Sequence, residues 1–294
     1  DLYYLYYYIN KMDYEFVSGE LFSKIADVCI YERTYLLDFP NIKNSCNNII
    51  YNNEPINNVS LSIINKSYTF FVKTDHLNFF IICVLPLIHK KFVLITHNSD
   101  LPSGNKSAIY NNEYLVKWYG QNMIPNYHIN KLIGIPIGLE NSQWKGSDYN
   151  ICKKYKHNIK ENLLYFNFSL NTNKERGNIE NVLLKNGFVK NNKKDWENYI
   201  KELSTYKFAI SPEGNGVDCH RVWECLYVGC IPVVKKNIIM FDFFKDLPIL
   251  WVENFNCITI DFLIEQYNII QQQYYNVEKM TMKYWNFIIR QMNI

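Results

Sequence analysis

Across its 294 residues the chain has no Asp-x-Asp triplet, no Gly-Lys pair and no Cys-x-x-Cys pair. Each absence removes a class of site. Without Asp-x-Asp, a common way of holding a divalent metal on a donor diphosphate is missing. Without Gly-Lys-Ser/Thr there is no nucleoside-triphosphate loop. The eight cysteines show neither a Cys-x-x-Cys pair nor a histidine at zinc-ligand spacing, so no metal site is expected. No apolar run is long enough to span a bilayer, the longest, from Phe79 to Ile88, being interrupted by Pro86. A net charge of +3 with no concentrated basic stripe argues against a nucleic-acid partner.

Arginine is also scarce. Only four of the 31 basic residues are Arg, at Arg33, Arg176, Arg221 and Arg290, so each is a place where a planar guanidinium can matter beyond its charge. Asn and Lys are abundant throughout and read as coding bias. The aromatic content of 16% suits sugar stacking and equally suits ordinary core packing. Cys83 and Cys230 lie in apolar runs, which favours reduced thiols and a cytosolic compartment. Four Asn-x-Ser sequons, at Asn58, Asn65, Asn105 and Asn167, leave a Golgi or ER lumen open, as does an anchor upstream of Asp1.

The length fits two domains, and a polar stretch from Lys145 to Glu161 sets the boundary, giving 1–150 and 151–294. In the first half we read a helix over Ser18 to Cys29, a strand over Tyr68 to Lys73, a helix over Leu77 to Ile88 and a strand over Lys91 to Thr96. A helix over Glu113 to Gln121 and a strand over Leu132 to Pro136 follow. In the second half strands are expected at Leu163 to Phe168, Phe208 to Ser211, Ile231 to Val234 and Ile249 to Val252. Helices are expected at Lys174 to Asn186, Asp195 to Thr205, Cys219 to Val228, Ile260 to Tyr275 and Val277 to Met292, the last of which can cross back to the first domain. This alternation predicts an α/β protein of two doubly wound, Rossmann-like domains.

The densest stretch is Lys207 to Lys236, KFAISPEGNGVDCHRVWECLYVGCIPVVKK. A buried strand there runs into a Pro/Gly loop and then a helix, at the sheet edge where α/β proteins bind ligands. Gly214 and Gly216 would let the backbone approach a ligand with positive φ, and the helix N-terminus beyond Asp218, the expected cap, would offer N–H donors to anionic oxygens. His220, Arg221 and Glu224 fall on the side away from the buried stripe of Val222, Cys225 and Leu226. A carboxylate there can accept two ribose hydroxyls and a guanidinium can fork onto phosphate. The competing reading is that Arg221 and Glu224, three apart, pair with each other.

The run Ser211-Pro212-Glu213-Gly214 through Arg221, Glu224 and Gly229-Cys230-Ile231-Pro232-Val233 resembles the exostosin-like glycosyltransferases, and fucosyltransferase-type enzymes share a looser version. The resemblance covers about 25 residues, and the chain departs from the common pattern in carrying Asp218-Cys219-His220 before the Arg. It implies a GT-B fold, two domains facing across a cleft, with a nucleoside-diphosphate sugar, a UDP- or GDP-sugar, held by the second domain. Glu224 would bind the donor ribose, with Arg221 and the loop of Glu213, Gly214, Asn215 and Gly216 against the diphosphate. Arg176, just past the strand of Phe166-Asn167-Phe168-Ser169, is the candidate for neutralising the leaving diphosphate. A solvated charge at a helix start is its alternative. No metal or other cofactor is implied.

In the first domain, His97-Asn98-Ser99-Asp100 ends a strand, and His97 or Asp100 is the candidate general base that deprotonates an acceptor hydroxyl. A capped turn is the alternative there. Glu140 and Asn141, in the run ending at Gln143, and Asp75 and His76 are further acceptor-side candidates. The expected function is transfer of a sugar to a glycan or other hydroxyl acceptor without metal. The alternatives are a two-domain protein that binds glycan or nucleotide without turnover, and a nicotinamide-dependent enzyme, which the missing third glycine of a dinucleotide fingerprint disfavours.

Overall fold

The computed structural model describes residues 16–142 and 148–291. Gln143, the first part of the expected boundary segment and Met292 lie outside the described residues. Among these residues the chain forms two compact units. One comprises Phe16 and Asp148–Thr281. The other begins at Val17 and takes back the helix from Met282.

The second of these units is built on a six-stranded parallel sheet of β1 (Val28–Tyr31), β2 (Ile49–Tyr51), β3 (Thr69–Lys73), β4 (Phe92–His97), β5 (Leu115–Gly120) and β6 (Leu132–Gly134). Its order is β2-β1-β3-β4-β5-β6. The chain starts inside the sheet, steps outward to β2, then returns past β1, so the strand order reverses between β1 and β3. In parallel α/β sheets this reversal opens a crevice at the carboxyl ends of the strands. Every residue of Val28–Tyr31 and of Phe92–His97 is buried, as expected of strands covered on both faces.

Three readings are corrected here. The helix that Ser18 caps ends at Ile25, and Val28 and Cys29, expected within it, belong to β1. The segment read as a helix over Glu113 to Gln121 is β5, paired on both sides by β4 and β6. Short apolar segments do not distinguish the two by periodicity, and pairing decides. Between β3 and β4, the expected helix is a broken succession of turns, with a π-helical run at Phe80–Val84 and a 3₁₀ turn at Leu85–Leu87 carrying Pro86. Proline removes a donor and crowds the preceding turn, which breaks regular helix.

The unit spanning Asp148–Thr281 has a four-stranded parallel sheet in the order β10-β9-β8-β7, from β7 (Asn162–Tyr165), β8 (Tyr206–Ile210), β9 (Ile231–Lys235) and β10 (Leu250–Val252). Its order runs in one direction, with no reversal among the described strands. Both faces are nevertheless covered. Phe208, Ile210, Ile231 and Val233 join Ile179 and Leu183 of helix Glu175–Lys185 and Leu263 and Ile270 of helix Ile260–Gln271 in one core. Ser211 points the other way, its Oγ 3.9 Å from Cys225 Sγ of helix His220–Tyr227.

Candidate functional site

The Lys207–Lys236 segment folds as strand, loop, helix and strand at the carboxyl edge of the four-stranded sheet. Its glycines serve other ends than expected. Positive φ angles occur at Gly104, Gly138, Gly187 and Gly229, so neither Gly214 nor Gly216 uses that freedom. The Gly214 amide donates to the Gly216 carbonyl at 3.0 Å, folding the loop on itself. Gly229, at φ +70, ends the helix. Its amide donates to Leu226, and the Cys230 amide donates to Cys225 at 2.9 Å, which is the paired-bond stop that glycine permits.

Asp218 is not the helix cap. Cys219 takes that position without a side-chain capping bond, its thiol instead lying 3.7 Å from the Pro212 carbonyl. The Asp218 carboxylate accepts the indole N–H of Trp223 at 2.9 and 3.1 Å. Trp223 is fully buried, and a buried indole N–H requires an acceptor. Ser211 is buried as well, its hydroxyl donating to the Ala209 carbonyl at 3.3 Å. Asn215 is exposed at the loop tip and His220 is half-buried.

Arg221 and Glu224 are joined through a third residue. Tyr199 donates its hydroxyl to Glu224 Oε2 at 2.8 Å and accepts Arg221 Nε at 3.3 Å, while Trp196 Nε1 reaches Glu224 Oε1 at 3.4 Å. Glu224 is 8% exposed. Burial, with the Glu224 charge next, pushes the Tyr199 hydroxyl well above its usual range, so it stays a donor. Burial acts against the Arg221 charge, but Tyr199 and Glu224 outweigh it and hold the guanidinium cationic. Trp196 and Tyr199 were not singled out from sequence. Their signal was their spacing of three on a single helix, Trp196–Leu203, which places them on one face.

Arg176 is spent inside the loop. Its Nε donates to the Glu213 carbonyl at 2.9 Å, Nη1 to Ser169 at 2.9 Å and Nη2 to Pro212 at 3.2 Å. The guanidinium therefore fixes the Ser-Pro-Glu turn from behind. Asn173 adds a bond to the Gly214 carbonyl, and Asn237 donates to Glu213 Oε1 at 3.2 Å. Burial and then the neighbouring Glu175 charge raise the Glu213 carboxyl above its ordinary range, against the pull of Lys235.

In the other unit, His97 is built into the end of β4. Its Nδ1 accepts the Asn98 amide at 2.8 Å and its Nε2 lies 3.0 Å from the Pro136 carbonyl, which only a donor can satisfy. The ring is 1% exposed, and both of its nitrogens are engaged by groups of the fold, Nδ1 also lying 3.2 Å from Asn98 Oδ1. Asp100 is exposed, and Asn122 donates to its carbonyl. Asn141 is buried, accepting the Glu20 amide at 2.8 Å and donating to Asn98 at 3.2 Å, which is a positioning role. Glu140 is half-buried beside it. Asp75 is paired with Lys73; burial works to raise its pKa, but bonds from Lys73 and Ser99 hold it below the usual carboxylate range.

No group of three or more His, Cys, Asp or Glu side chains among the described residues is arranged to hold a metal, and no helix among them is long and apolar enough to cross a membrane. No protein-family model matches the chain, and no curated protein matches it by sequence.

Proposed function

We propose that the chain is a glycosyltransferase of the two-domain GT-B type, similar to the exostosin-like enzymes, that moves a sugar from a UDP- or GDP-sugar to a hydroxyl acceptor without metal. The observation that carries the reading is the buried Glu224–Tyr199–Arg221 relay, in which Tyr199 of helix Trp196–Leu203 joins two residues of the helix that follows the Pro/Gly loop at a parallel sheet edge. A carboxylate fixed by two donors keeps lone pairs for the two hydroxyls of a ribose, and a guanidinium held charged beside it suits a diphosphate. Positioning and electrostatic stabilisation of the leaving diphosphate would then supply most of the rate.

A second reading is binding of nucleotide or glycan without turnover. It is favoured by Arg176, whose guanidinium is engaged by three backbone carbonyls in place of a leaving group. The transferase reading, and the binding reading in its nucleotide form, put nucleotide against Glu224, and a thermal-shift assay with UDP and GDP, with and without EDTA, tests that. A ligand at about 100 times its Kd adds roughly 2.7 kcal/mol, a shift of roughly 5–10 °C in a chain of this size. The shift should persist in EDTA and disappear in Glu224→Gln, which keeps the shape of the buried side chain. If neither nucleotide shifts the wild type, the donor assignment fails. Hydrolysis of the matching nucleotide sugar then separates transferase from binder.

A further inference from the structure

After helix Pro40–Ser45 the chain lies against the segment that leads into β1. Ser45 Oγ is 2.8 Å from Ser23 Oγ, Asn47 Nδ2 donates to the Ala26 carbonyl at 2.7 Å, and the Cys29 amide donates to the Asn48 carbonyl at 2.8 Å. Cys46 stands within this seam and Cys29 at its end. Their thiols lie within hydrogen-bond reach of each other. Each also reaches a carbonyl, Cys29 Sγ that of Ser23 at 3.4 Å and Cys46 Sγ that of Ile42 at 3.2 Å.

The two thiols differ in access and in acidity. Cys29 is fully buried, and burial raises its pKa well above the ordinary thiol range, whereas Cys46 is half-buried. The bond from Cys29 lowers the Cys46 pKa; burial works against it, and the hydroxyls of Ser23 and Ser45 add to it. Oxidation follows thiolate character and exposure, so Cys46 is the sulfur that an oxidant in solution meets first, and Cys29 is the second thiol behind it. Cys225 and Cys230 also bond through their thiols, but at 0% and 1% exposure neither offers a sulfur to solvent.

We propose that Cys29 and Cys46 are a peroxide-responsive pair that closes reversibly to a disulfide. The Cys46 thiolate attacks one oxygen of hydrogen peroxide: the S–O bond forms, the O–O bond breaks, and the departing hydroxide takes up a proton and leaves as water. Cys46 is thereby oxidised to the sulfenic acid and the peroxide is reduced. The Cys29 sulfur then attacks the Cys46 sulfur. The S–S bond forms, the S–O bond breaks, and hydroxide leaves with the Cys29 proton as a second water. The new bond closes residues 29–46 into a loop around helices Arg33–Asp38 and Pro40–Ser45. The pair lies within one unit and does not depend on the donor assignment.

The test is treatment of the full chain, under native conditions, with hydrogen peroxide, followed by alkylation, tryptic digestion and mass spectrometry. The peptides Ile25–Arg33 and Asn44–Lys66 carry one cysteine each. They should appear joined, about 2 Da below the sum of the two reduced peptides, and dithiothreitol should release them. In Cys29→Ser the Cys46 sulfenic acid has no thiol to meet and should be captured by dimedone, whereas Cys46→Ser should give neither the joined peptides nor an adduct on Cys29. Recovery of both wild-type peptides as alkylated thiols, a link confined to other cysteines, or direct passage of Cys46 to an acid that dithiothreitol does not reduce overturns the proposal. Those outcomes are read on the wild type, so none of them depends on a variant that folds.

Discussion

Arg176 shows where a scarce residue type was informative and where it stopped. Scarcity pointed to a site that needs a planar fork of donors, and such a site exists, but its acceptors are three carbonyls of the fold, which no local pattern announces. Arg176→Lys keeps the charge and loses the fork. It should cost about 1–3 kcal/mol in urea unfolding through the loosened turn at Pro212 and Glu213. Were Arg176 mainly a phosphate ligand, nucleotide affinity would fall with stability unchanged. Gly138 is the sharpest steric case. At φ +71, a Cβ would lie 2.0 Å from the Val17 carbonyl oxygen, a backbone atom that cannot turn aside. Gly138→Ala should therefore cost at least roughly 2 kcal/mol, read as a fall in the urea midpoint, combining left-handed strain with overpacking. Which backbone Gly138 meets is set by the return of Val17, over a hundred residues away in the chain.

At the scale of elements, Lys160 ties two helices. It is 7% exposed, and its ammonium donates to the Val228 carbonyl at 2.6 Å and to the Ser204 carbonyl, at the C-terminal ends of helices His220–Tyr227 and Trp196–Leu203. Cations are favoured at helix C-termini. Burial nevertheless lowers its pKa to about 8, from an ordinary value near 10.5. Because the folded pKa is depressed for a cationic group, the native state binds fewer protons than the unfolded chain between those values. Stability through this group is therefore lowest below about pH 8 and rises as the pH climbs toward 10.5, by at most about 3 kcal/mol. Comparison of wild type with Lys160→Met by urea unfolding at pH 7.5 and 9.5 should show the difference moving in favour of the wild type at the higher pH. A flat difference would show that the ammonium is not penalised. Helix Glu175–Lys185 and the strands from β7 to β10 were legible because apolar strands, capping residues and Gly187 punctuate that half of the chain. Helix Arg33–Asp38, helix Pro40–Ser45 and helix Asn58–Lys66 were not, since they lack a wide apolar stripe and are held by neighbours.

At the scale of the whole molecule, the chain departs from the unit it has just completed. After Thr281 it contributes helix Met282–Arg290 to the unit that begins at Val17, with Trp285 buried and its ring 6.3 Å from that of Phe22. Truncation after Thr281 should therefore expose the sheet of β1 to β6 to hydrogen exchange and leave β7 to β10 protected, although the deleted helix adjoins the latter in sequence. Loss of protection only in the sequence-adjacent unit would contradict this. What the sequence by itself determined was composition-driven: two α/β units, parallel strands from unbroken apolar runs, and a strand–loop–helix at Lys207–Lys236. These follow from local chemistry, which needs only near neighbours in the chain. What only the tertiary structure decided was which polar groups are already satisfied. Arg176, Asp218 and His97 turn inward to partners in the fold, and near the strand-order reversal the Asn52 and His76 side chains bond each other while Asn52 Oδ1, Thr74 Oγ1 and His76 Nε2 are buried without a partner. Hydrogen-bond satisfaction is a property of three-dimensional neighbours, fixed by strand order and crossover, and sequence spacing does not encode it.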